Sequence, residues 1–463
     1  MKNSLVIYIF CLCSIFGALR TARGQASLID PSFLVGVGAN GAANSILLQS
    51  DGKILVGGEF TVIAGHTNSC LARLENNGQI DKSFAADTDG TVWRLLEQPD
   101  GKILVAGEFT SLQGVECYHL GRLLTNGLVD PDFQGGTNFV DDDGIFTIAL
   151  QPDGKILAAS FDYNSYTFRL LRLNTNGTPD VTFASDISFG EIVHAILVRA
   201  DGNIWVGGAF NWVNYQPFPG CAVFEPDGQL ATNLVSDFTF NSDVFSFNEL
   251  PNGNILVGGL LQLTNANTTK YLIQMTPQGK WDTNFVPPAF DNGTSPTDFI
   301  TSVVVQPDGK IVAGGSFYDV GGYWRRQIVR LDSQGHVDPC FDPGLGLIGF
   351  DWAQTIVRQP DGRILVGGRF PSTELNGPAN IERLLPSGDC DATRVYLRSV
   401  PENNAYFVAG TYPPGGTNFL QFSTNLVDWA NIDMTTGSYL FHSFPATDTS
   451  ATPSAFFRVK KVY

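Results

Sequence analysis

Short apolar runs bounded by turn residues recur along most of the chain. In the copy around residue 100, the pattern predicts four strands, which cover residues 92–98, 102–109, 119–124 and 128–133. Asp100-Gly101 and Asn126-Gly127 lie between the strands of its two hairpins, where glycine supplies the left-handed conformation that a tight turn requires. The copy is therefore predicted to fold as a four-stranded antiparallel sheet.

The same unit occurs seven times, and its Asp-Gly or Asn-Gly turn recurs near residues 51, 100, 153, 201, 252, 308 and 361. A second signature, Arg-Leu followed by Gly and Asp, accompanies the turn in five copies and is degraded in the copies near residues 201 and 252. We expect the Asp of this signature to pair with its Arg. Seven units of four short strands predict an all-β fold, a seven-bladed β-propeller over residues 25–393, with an open solenoid as the alternative.

A segment that resembles the last strand of a repeat stands before the first repeat. Residues 29–33 read Ile-Asp-Pro-Ser-Phe and match the strand endings at Phe133 and Phe341, but they have no blade of their own. The seventh repeat has lost the Phe at the end of its own fourth strand. We therefore expect residues 29–33 to complete the last blade, because this removes an exposed sheet edge.

One repeat motif carries a family resemblance. The stretch from Gln98 to Gly107 reads Gln-Pro-Asp-Gly-Lys-Ile-Leu-Val-Ala-Gly and is followed by Arg-Leu, Gly and Asp-x-x-Phe. This combination resembles the bacterial delta-60-repeat β-propeller family over residues 28–392. The resemblance implies a secreted or surface protein and brings no shared catalytic residues, so it supports the architecture and leaves the activity open.

The two ends of the chain differ from the repeats. Residues 1–24 combine a positive start with an apolar run from Leu5 to Leu19 and small residues at Ala22 and Gly24, which predicts a signal peptide cut after Gly24. Residues 394–463 alternate apolar and polar positions and predict a small β-sandwich-like domain, similar to the C-terminal modules of exported bacterial proteins. We expect a protein that is secreted or held at the cell surface or in the periplasm, without a transmembrane segment after signal removal.

Composition and charge exclude several classes of partner. Hydrophobic residues make up 43% of the chain and charged residues 16%, which favours a folded protein over a disordered one. Lys and Arg total 28 against 45 Asp and Glu, for a net charge of −17, so the positive charge that nucleic-acid binding requires is missing.

Carboxylates recur at one point of the repeat. The long loops are predicted to share one face of the propeller, opposite the tight turns, and function concentrates on such loops. Nine to eleven residues before the tight turn, six of the seven repeats carry an acid: Asp89, Asp143, Glu191, Asp243, Asp298 and Asp351. Crowded acids at a channel mouth attract a hard cation, so calcium is the cofactor that the pattern suggests, with ordinary loop acids as the alternative.

Aromatic residues cluster in the loops between second and third strands. Rigid, amphipathic rings of this kind bind sugars or anchor peptides, whereas packing between blades is the alternative. The candidate ligand-binding residues are Tyr163, Tyr166, Trp212, Tyr215, Phe218, Tyr323, Trp324 and Arg325. We expect a monomer whose partner is a glycan, a peptide or a surface protein.

Signatures of catalysis are missing from the sequence. No His-Glu-x-x-His, Gly-x-Ser-x-Gly or phosphate-binding loop is present, and His194 is a channel candidate only because it lies on a first strand. The exported cysteines, Cys70, Cys117, Cys221, Cys340 and Cys390, lack zinc-site spacing, and Cys70 with Cys117 would form a disulfide or remain free.

Three functions remain open on these grounds. The first is a non-catalytic, exported propeller that binds its partner through the long-loop face. The second is a calcium-dependent hydrolase or lyase at the channel mouth. The third is a structural cell-envelope protein attached by its C-terminal module.

Overall fold

A computed structural model describes residues 28–386 with short gaps, together with separate backbone strands near both ends of the chain. The gaps within this range are residues 141, 163, 185–186, 232–241, 264–268, 292–297, 326, 342–351 and 371–378.

Each of the seven repeats contributes three consecutive antiparallel strands to one sheet, which we call a blade and number in chain order. The inner strands are Ala43–Leu48, Thr91–Glu97, Asp142–Leu150, Val193–Val198, Asp243–Glu249, Phe299–Val305 and Trp352–Arg358. The middle strands are Ile54–Gly58, Ile103–Glu108, Ile156–Asp162, Ile204–Gly208, Ile255–Leu261, Ile311–Ser316 and Ile364–Arg369. The third strands are Leu71–Leu74, Leu120–Leu123, Thr167–Leu173, Cys221–Phe224, Lys270–Met275, Ile328–Leu331 and Ile381–Leu384.

The predicted fourth strand is shorter than expected. In the second blade it amounts to one bridge, between Val129 and Leu123, and a hydrogen bond from Asp130 N to Arg122 O. The Asp130 carboxylate then accepts the backbone N–H of Asp132, which turns the chain away from the sheet. The outer edge of a blade is therefore a single bridge followed by an Asx turn.

The inner strands form a closed ring. Each inner strand contacts the inner strand of the next blade, and the last one, Trp352–Arg358, contacts the first, Ala43–Leu48. Clusters of buried aliphatic and aromatic side chains lie between neighbouring blades, as where Leu55 of the first blade meets Val92 and Leu95 of the second. The all-β propeller architecture predicted from the repeats is thus confirmed, and its inner strands enclose a central channel.

The start of the chain supplies the outer bridge of the seventh blade. Ile29 pairs with Leu384, and Asp30 N donates a hydrogen bond to Arg383 O at 2.8 Å. The Asp30 carboxylate lies 2.8 Å from Arg383 Nε, and the Arg383 guanidinium covers the ring of Phe33. The two ends of the repeat region are thereby joined within one blade.

An arginine clamp links blades on the tight-turn face. In the second blade, Arg122 Nε donates to Asp130 at 2.9 Å, while its guanidinium covers the ring of Phe133 and Nη1 donates to the Thr175 carbonyl of the next blade. Lys102 adds a second cation 3.0 Å from the same carboxylate. The clamp pairs are Arg73–Asp81, Arg122–Asp130, Arg172–Asp180, Arg330–Asp338 and Arg383–Asp30.

The fourth and fifth blades lack this clamp. Val223 stands at the arginine position of the fourth blade, where it faces Trp205 in the sheet. In the fifth blade the neutral Gln274 replaces arginine and donates to Asp282 at 3.0 Å. The two blades that lack the charged clamp are those whose sequence signature is degraded.

Among the described residues, short ribbons follow four of the middle strands on the long-loop face. They pair Val62–Ile63 with His66–Thr67, Ser111–Leu112 with Val115–Glu116, Trp212–Val213 with Gln216–Pro217, and Asp319–Val320 with Tyr323–Trp324. Two further strands, Ile187–Phe189 and Phe290–Asp291, extend the ribbons of the fourth and sixth blades. A 3-10 turn covers Gly135–Asn138.

The terminal strands form two sheets of their own. Arg394–Val400, Ala405–Thr411 and Tyr439–Pro445 make one sheet, and Val6–Ile9, Phe456–Val462, Thr417–Ser423 and Ala430–Thr435 make the other. Val6–Ile9 lies within the predicted signal peptide and pairs with the last strand of the chain. Among the described residues, no helix is long and apolar enough to span a membrane.

Candidate functional site

Every inner strand contains a bulge near its long-loop end. In the second blade, Val92 pairs with Gly107 and Arg94 with Ala106, so that Trp93 is an extra residue in the inner strand. The same irregularity occurs in each of the other six inner strands. A β-bulge bends the strand and redirects the side chain at that point.

Glycine in the middle strand accompanies this bulge in six of the seven blades, whereas the third blade has Ser160 at the same position. A Cβ atom added to Gly107 would lie 2.0 Å from the carbonyl oxygen of Thr91, so in the second blade glycine allows the inner strand to approach this closely. Equivalent glycines oppose the bulges of five other blades: Gly58, Gly208, Gly259, Gly315 and Gly368. The second glycine of the repeat motif therefore maintains the bulge geometry.

The side chains at the bulges differ from blade to blade. The seven bulge residues, in blade order, are Asn44, Trp93, Phe146, His194, Phe245, Thr301 and Gln354. Asn44 and Thr301 are buried and hydrogen-bond to backbone carbonyls of the next blade. The side chains of the other five are partly exposed, and four of these five are rings.

These rings, with two others at the starts of inner strands, form an aromatic arc around the channel mouth. The arc consists of Trp93, Phe146, His194, Phe245, Phe299 and Trp352. Successive ring centroids lie 4.5 Å apart from His194 to Phe245, 5.4 Å from Phe245 to Phe299 and 6.0 Å from Phe299 to Trp352. Trp93 and Phe146 form a second contact at 6.4 Å. All six side chains are half-buried, so each presents part of a ring to solvent.

The polar groups at the arc include His194, Asp243 and Arg94. His194 Nε2 lies 3.4 Å from Asp243 Oδ1, and Arg94 Nη2 donates to the His194 carbonyl at 3.3 Å. Burial raises the pKa of Asp243 to about 7. Burial, together with the positive charge of Arg94, lowers the pKa of His194 to about 4. At neutral pH the imidazole is therefore uncharged and the carboxyl lies near its midpoint of titration.

Asp89, the first of the six predicted acids, forms hydrogen bonds within its own blade. Asp89 accepts hydrogen bonds from the backbone N–H groups of Thr110 and Ser111 and from the Thr110 hydroxyl, at 2.6 to 2.9 Å. Burial opposes its ionisation, but these hydrogen bonds hold the pKa of Asp89 below its usual value. Asn40 of the first blade makes the same contacts with Thr61 and Val62. This position caps the loop that follows the middle strand.

The remaining predicted acids differ in exposure. Asp143 and Glu191 are exposed, Asp243 is half-buried beside His194, and Asp298 is buried at the start of the sixth inner strand. Asp351 lies outside the described residues. Within the described ranges, no group of three or more His, Cys, Asp or Glu side chains is placed to hold a metal ion.

Among the predicted aromatic residues, Trp212 and Tyr215 form a stacked pair. Their ring centroids lie 5.2 Å apart with planes at 8°, and Tyr215 is 85% exposed. Tyr215 has a φ of 63°, whereas glycine occupies the same ribbon turn in the other three ribbons, as Gly65, Gly114 and Gly322. A tyrosine held in the left-handed region is strained, and such strain concentrates at functional sites.

The other predicted aromatic positions have mixed surroundings. Tyr166 is 75% exposed, and Phe218 packs partly against the core between the third and fourth blades. Arg325 is buried and lies 5.4 Å from the ring centroid of the half-buried Tyr323. Trp324 belongs to the ribbon of the sixth blade, and Tyr163 lies outside the described residues.

The structure decides between the two alternatives left open for Cys70 and Cys117. Cys70 and Cys117 are both free, so the disulfide considered between them does not form. Burial raises the pKa of the Cys117 thiol to about 12 and raises that of Cys221 further, which makes both thiols unreactive. Cys340 is disulfide-bonded, and its partner is none of the three free cysteines.

Apart from His194, the rings of the arc are not among the predicted residues, because the acidic pattern lies nine to eleven residues before each turn. The bulge residues lie a constant seven residues before the turn Asp or Asn, as Trp93 does before Asp100. Rings at that offset are the signal that the sequence contains for Trp93, Phe146, His194 and Phe245.

Five segments of the chain match the family model described as "Domain of unknown function (DUF5122) beta-propeller". The matched residues are 49–84, 98–133, 151–183, 306–341 and 359–393. This finding confirms the resemblance to the delta-60-repeat propellers, and the C-terminal module remains a prediction.

Several solved structures resemble the chain at low sequence identity. The WD40 β-propeller domain of Doa1 is 11% identical with a TM-score of 0.46, and the match covers 78% of this chain and 97% of that one. An extracellular domain of a hybrid two component system from B. thetaiotaomicron is 11% identical with a TM-score of 0.48, covering 91% and 56%. Prolyl oligopeptidase B from Galerina marginata is 12% identical with a TM-score of 0.41, covering 82% and 58%.

At these TM-scores the three likenesses do not bear on the function of the chain. No curated protein matches its sequence. The five matched segments coincide with the five blades that carry the arginine clamp, including the seventh, whose Asp and Phe come from residues 30 and 33. Five of the seven repeats of the chain therefore match the DUF5122 β-propeller family.

Proposed function

We propose that the protein is an exported, non-catalytic propeller that binds a glycan through its long-loop face. The observation that carries this proposal is the aromatic arc, in which six half-exposed rings surround the mouth of the central channel. A binding role accounts for these rings, because each of them presents part of its surface to solvent at the channel mouth. The core between blades is built from other positions, such as Val92 and Leu95.

The chemistry of the arc suits a sugar. One face of a pyranose ring is rich in C–H groups and stacks on an aromatic face, while its hydroxyl rim needs hydrogen bonds. Around the channel mouth, His194 and Gln354 provide polar atoms beside Phe245 and Trp352. A glycan therefore has both stacking surfaces and hydrogen-bond partners within one arc.

The Trp212–Tyr215 pair supports a second contact region on the same face. Tyr215 is 85% exposed and adopts a strained backbone at the tip of the fourth-blade ribbon. Exposed rings held rigidly on a scaffold commonly dominate binding energy. We expect this pair to extend the site that begins at the arc.

The test is a screen of the purified protein against arrays of glycans and peptides, with two matched variants. Trp93→Ala removes a ring of the arc, whereas Leu128→Ala removes an exposed apolar side chain, 57% exposed, beside a tight turn on the opposite face. Glycan signals that fall only in Trp93→Ala support the proposal. Equal signals in both variants, or no glycan signal at all, would contradict it.

The catalytic alternative has one supporting observation, the His194–Asp243 pair in the channel mouth. Such a pair provides an acid and a base close together. Calcium dependence is tested by thermal unfolding after chelation, with and without added calcium, because a specifically bound ion raises the midpoint. A rise that disappears in Asp143→Asn and Asp298→Asn would favour the enzyme over the binding protein.

A further inference from the structure

Arg94 lies inside the ring of inner strands. It belongs to the second blade, yet its Nη2 donates to the carbonyl oxygen of His194 in the fourth blade at 3.3 Å. The third blade stands between these two in the ring. The Arg94 side chain must therefore extend into the space that the inner strands enclose, at the level of the bulges.

This guanidinium differs from the clamp arginines in its lack of a counter-ion. Arg122, for example, has a carboxylate oxygen at 2.9 Å, and every clamp arginine has one at 2.9 Å or less. For Arg94 the part of the chain that the structure describes provides no carboxylate within 4 Å. Burial within the ring of inner strands also lowers the pKa of Arg94. A cation in this position gains free energy when an anion reaches it.

The surroundings of Arg94 restrict the kind of anion. Trp93 is its neighbour in the same bulge, and His194, whose backbone it contacts, packs against Phe245 with ring centroids 4.5 Å apart. An anion that binds Arg94 therefore lies close to rings of the arc. A planar carboxylate on a ring-shaped ligand fits, because guanidinium groups bind carboxylates in two parallel hydrogen bonds.

We infer that the channel mouth is a receptor for acidic glycans, in which Arg94 pairs with the carboxylate of a uronic-acid residue while the arc stacks on its ring. This inference rests on the proposed function and specifies its substrate class. Asp243, the acid beside His194 at the mouth, lies 3.4 Å from the imidazole, and burial raises its pKa, which reduces the negative charge that an entering carboxylate meets.

The experiment is an array in which each uronic-acid oligosaccharide stands beside its carboxyl-reduced form, together with neutral glycans and acidic peptides. The full-length protein is compared with Arg94→Gln, which removes the charge and keeps a shorter, polar side chain. The control is Arg369→Gln, which alters an exposed arginine of the seventh middle strand whose charge is already paired with Glu59. Unfolding midpoints of all three proteins establish that each is folded.

We expect the acidic member of each pair to bind more tightly than its carboxyl-reduced form by about tenfold or more. The reason is that hydrogen bonds between charged groups are stronger than those between neutral groups. This preference should vanish in Arg94→Gln and persist in Arg369→Gln. The wild-type comparison of the matched pairs tests the inference even if the Arg94 variant fails to fold.

Each of the other outcomes overturns one part of the inference or of the proposed function. Neutral and acidic glycans that bind equally overturn the role of Arg94 and leave the glycan function standing. Binding confined to acidic peptides overturns the assignment to glycans. The absence of any bound ligand overturns the proposed function, and the inference with it.

Discussion

The two faces of the propeller differ in which part of the repeat is constant from blade to blade. On the tight-turn face, five of the seven blades repeat one arginine clamp with the same three side-chain types. On the long-loop face, one backbone bulge recurs in every blade but presents six different residue types in seven positions. Constant side chains on one face indicate a requirement of folding, whereas a constant backbone with variable side chains indicates a scaffold for recognition.

The fourth and fifth blades differ from the other five on the tight-turn face. They have lost the charged clamp but keep the bulge, and they supply His194, Asp243 and Phe245 to the channel mouth. In the fifth blade the uncharged Gln274 donates to Asp282 in place of the arginine. The clamp can therefore be lost from single blades of a closed ring without loss of the geometry that positions the arc.

The largest expected effect concerns the clamp. Asp130→Ala leaves the buried Arg122 without its carboxylate, so we expect a loss of about 3–5 kcal/mol in the free energy of unfolding. The matched control is Asp282→Ala in the fifth blade, where the partner Gln274 is neutral, with an expected loss of about 1 kcal/mol. Urea denaturation of both variants provides the comparison, and equal losses would show that the clamp charge is unimportant.

The next effect separates binding from stability. Phe245→Ala removes a half-exposed ring of the arc and should weaken glycan binding by about 1–2 kcal/mol, as loss of an interface hot spot does. Phe84→Ala removes the buried ring beneath Arg73 and should cost about 3–5 kcal/mol of stability with no change in affinity. Titration calorimetry measures the affinity and denaturation measures the stability of each variant. A loss of affinity in Phe84→Ala would contradict the assignment of binding to the long-loop face and of stability to the tight-turn face.

A smaller effect depends on pH. Because the folded pKa of Asp243, about 7, lies above its unfolded value, the folded state holds the extra proton and stability falls as pH rises from about 4 to 7. His194, whose pKa is lowered to about 4, opposes this trend below about pH 6.5. Asp243→Asn should therefore stabilise the protein at pH 8 by about 1–2 kcal/mol, a range reduced for partial exposure, and should change little at pH 5. Unfolding midpoints at the two pH values test this, and equal shifts would contradict it.

The smallest effect concerns the ribbon tips. Tyr215→Gly should stabilise the protein by about 1 kcal/mol, because glycine adopts the left-handed conformation without strain. It should also weaken ligand binding, since the exposed ring is lost. The reciprocal variant, Gly114→Tyr, places a side chain in open space at a φ of 71° and should destabilise by a similar amount. A Tyr215→Gly variant that is less stable would show that the Trp212 stack outweighs the strain.

The sequence was sufficient for the architecture and for the clamp. Spaced Asp-Gly turns predicted the repeated hairpins, and the structure shows their Asx turns, as where Asp51 accepts the N–H of Lys53. The offset of eight residues between Arg122 and Asp130 predicted their pairing, because strand and turn are local in sequence. The fourth strand was overestimated, since the Asx turn at Asp130 interrupts the pairing after one bridge.

The candidate site was harder to predict from sequence. The six acids were selected by their spacing along the chain, but Asp89 caps a loop and Asp298 is buried, and spacing alone does not report these surroundings. Tyr215 was found because it lies in a loop, but its strain is visible only in the backbone angle. The arc was missed because its rings lie within strands, where rings are ordinarily assigned to the core.

By itself, the sequence determined the repeated hairpins, the clamp and the family, because each depends on residues close together in the chain or on a motif that recurs. Only the tertiary structure decided which residues share the channel mouth. Arg94 and His194 are separated by a hundred positions, and they meet because the inner strands close into a ring and each bulge redirects one side chain. That closure is a property of all blades together, and no single repeat contains it.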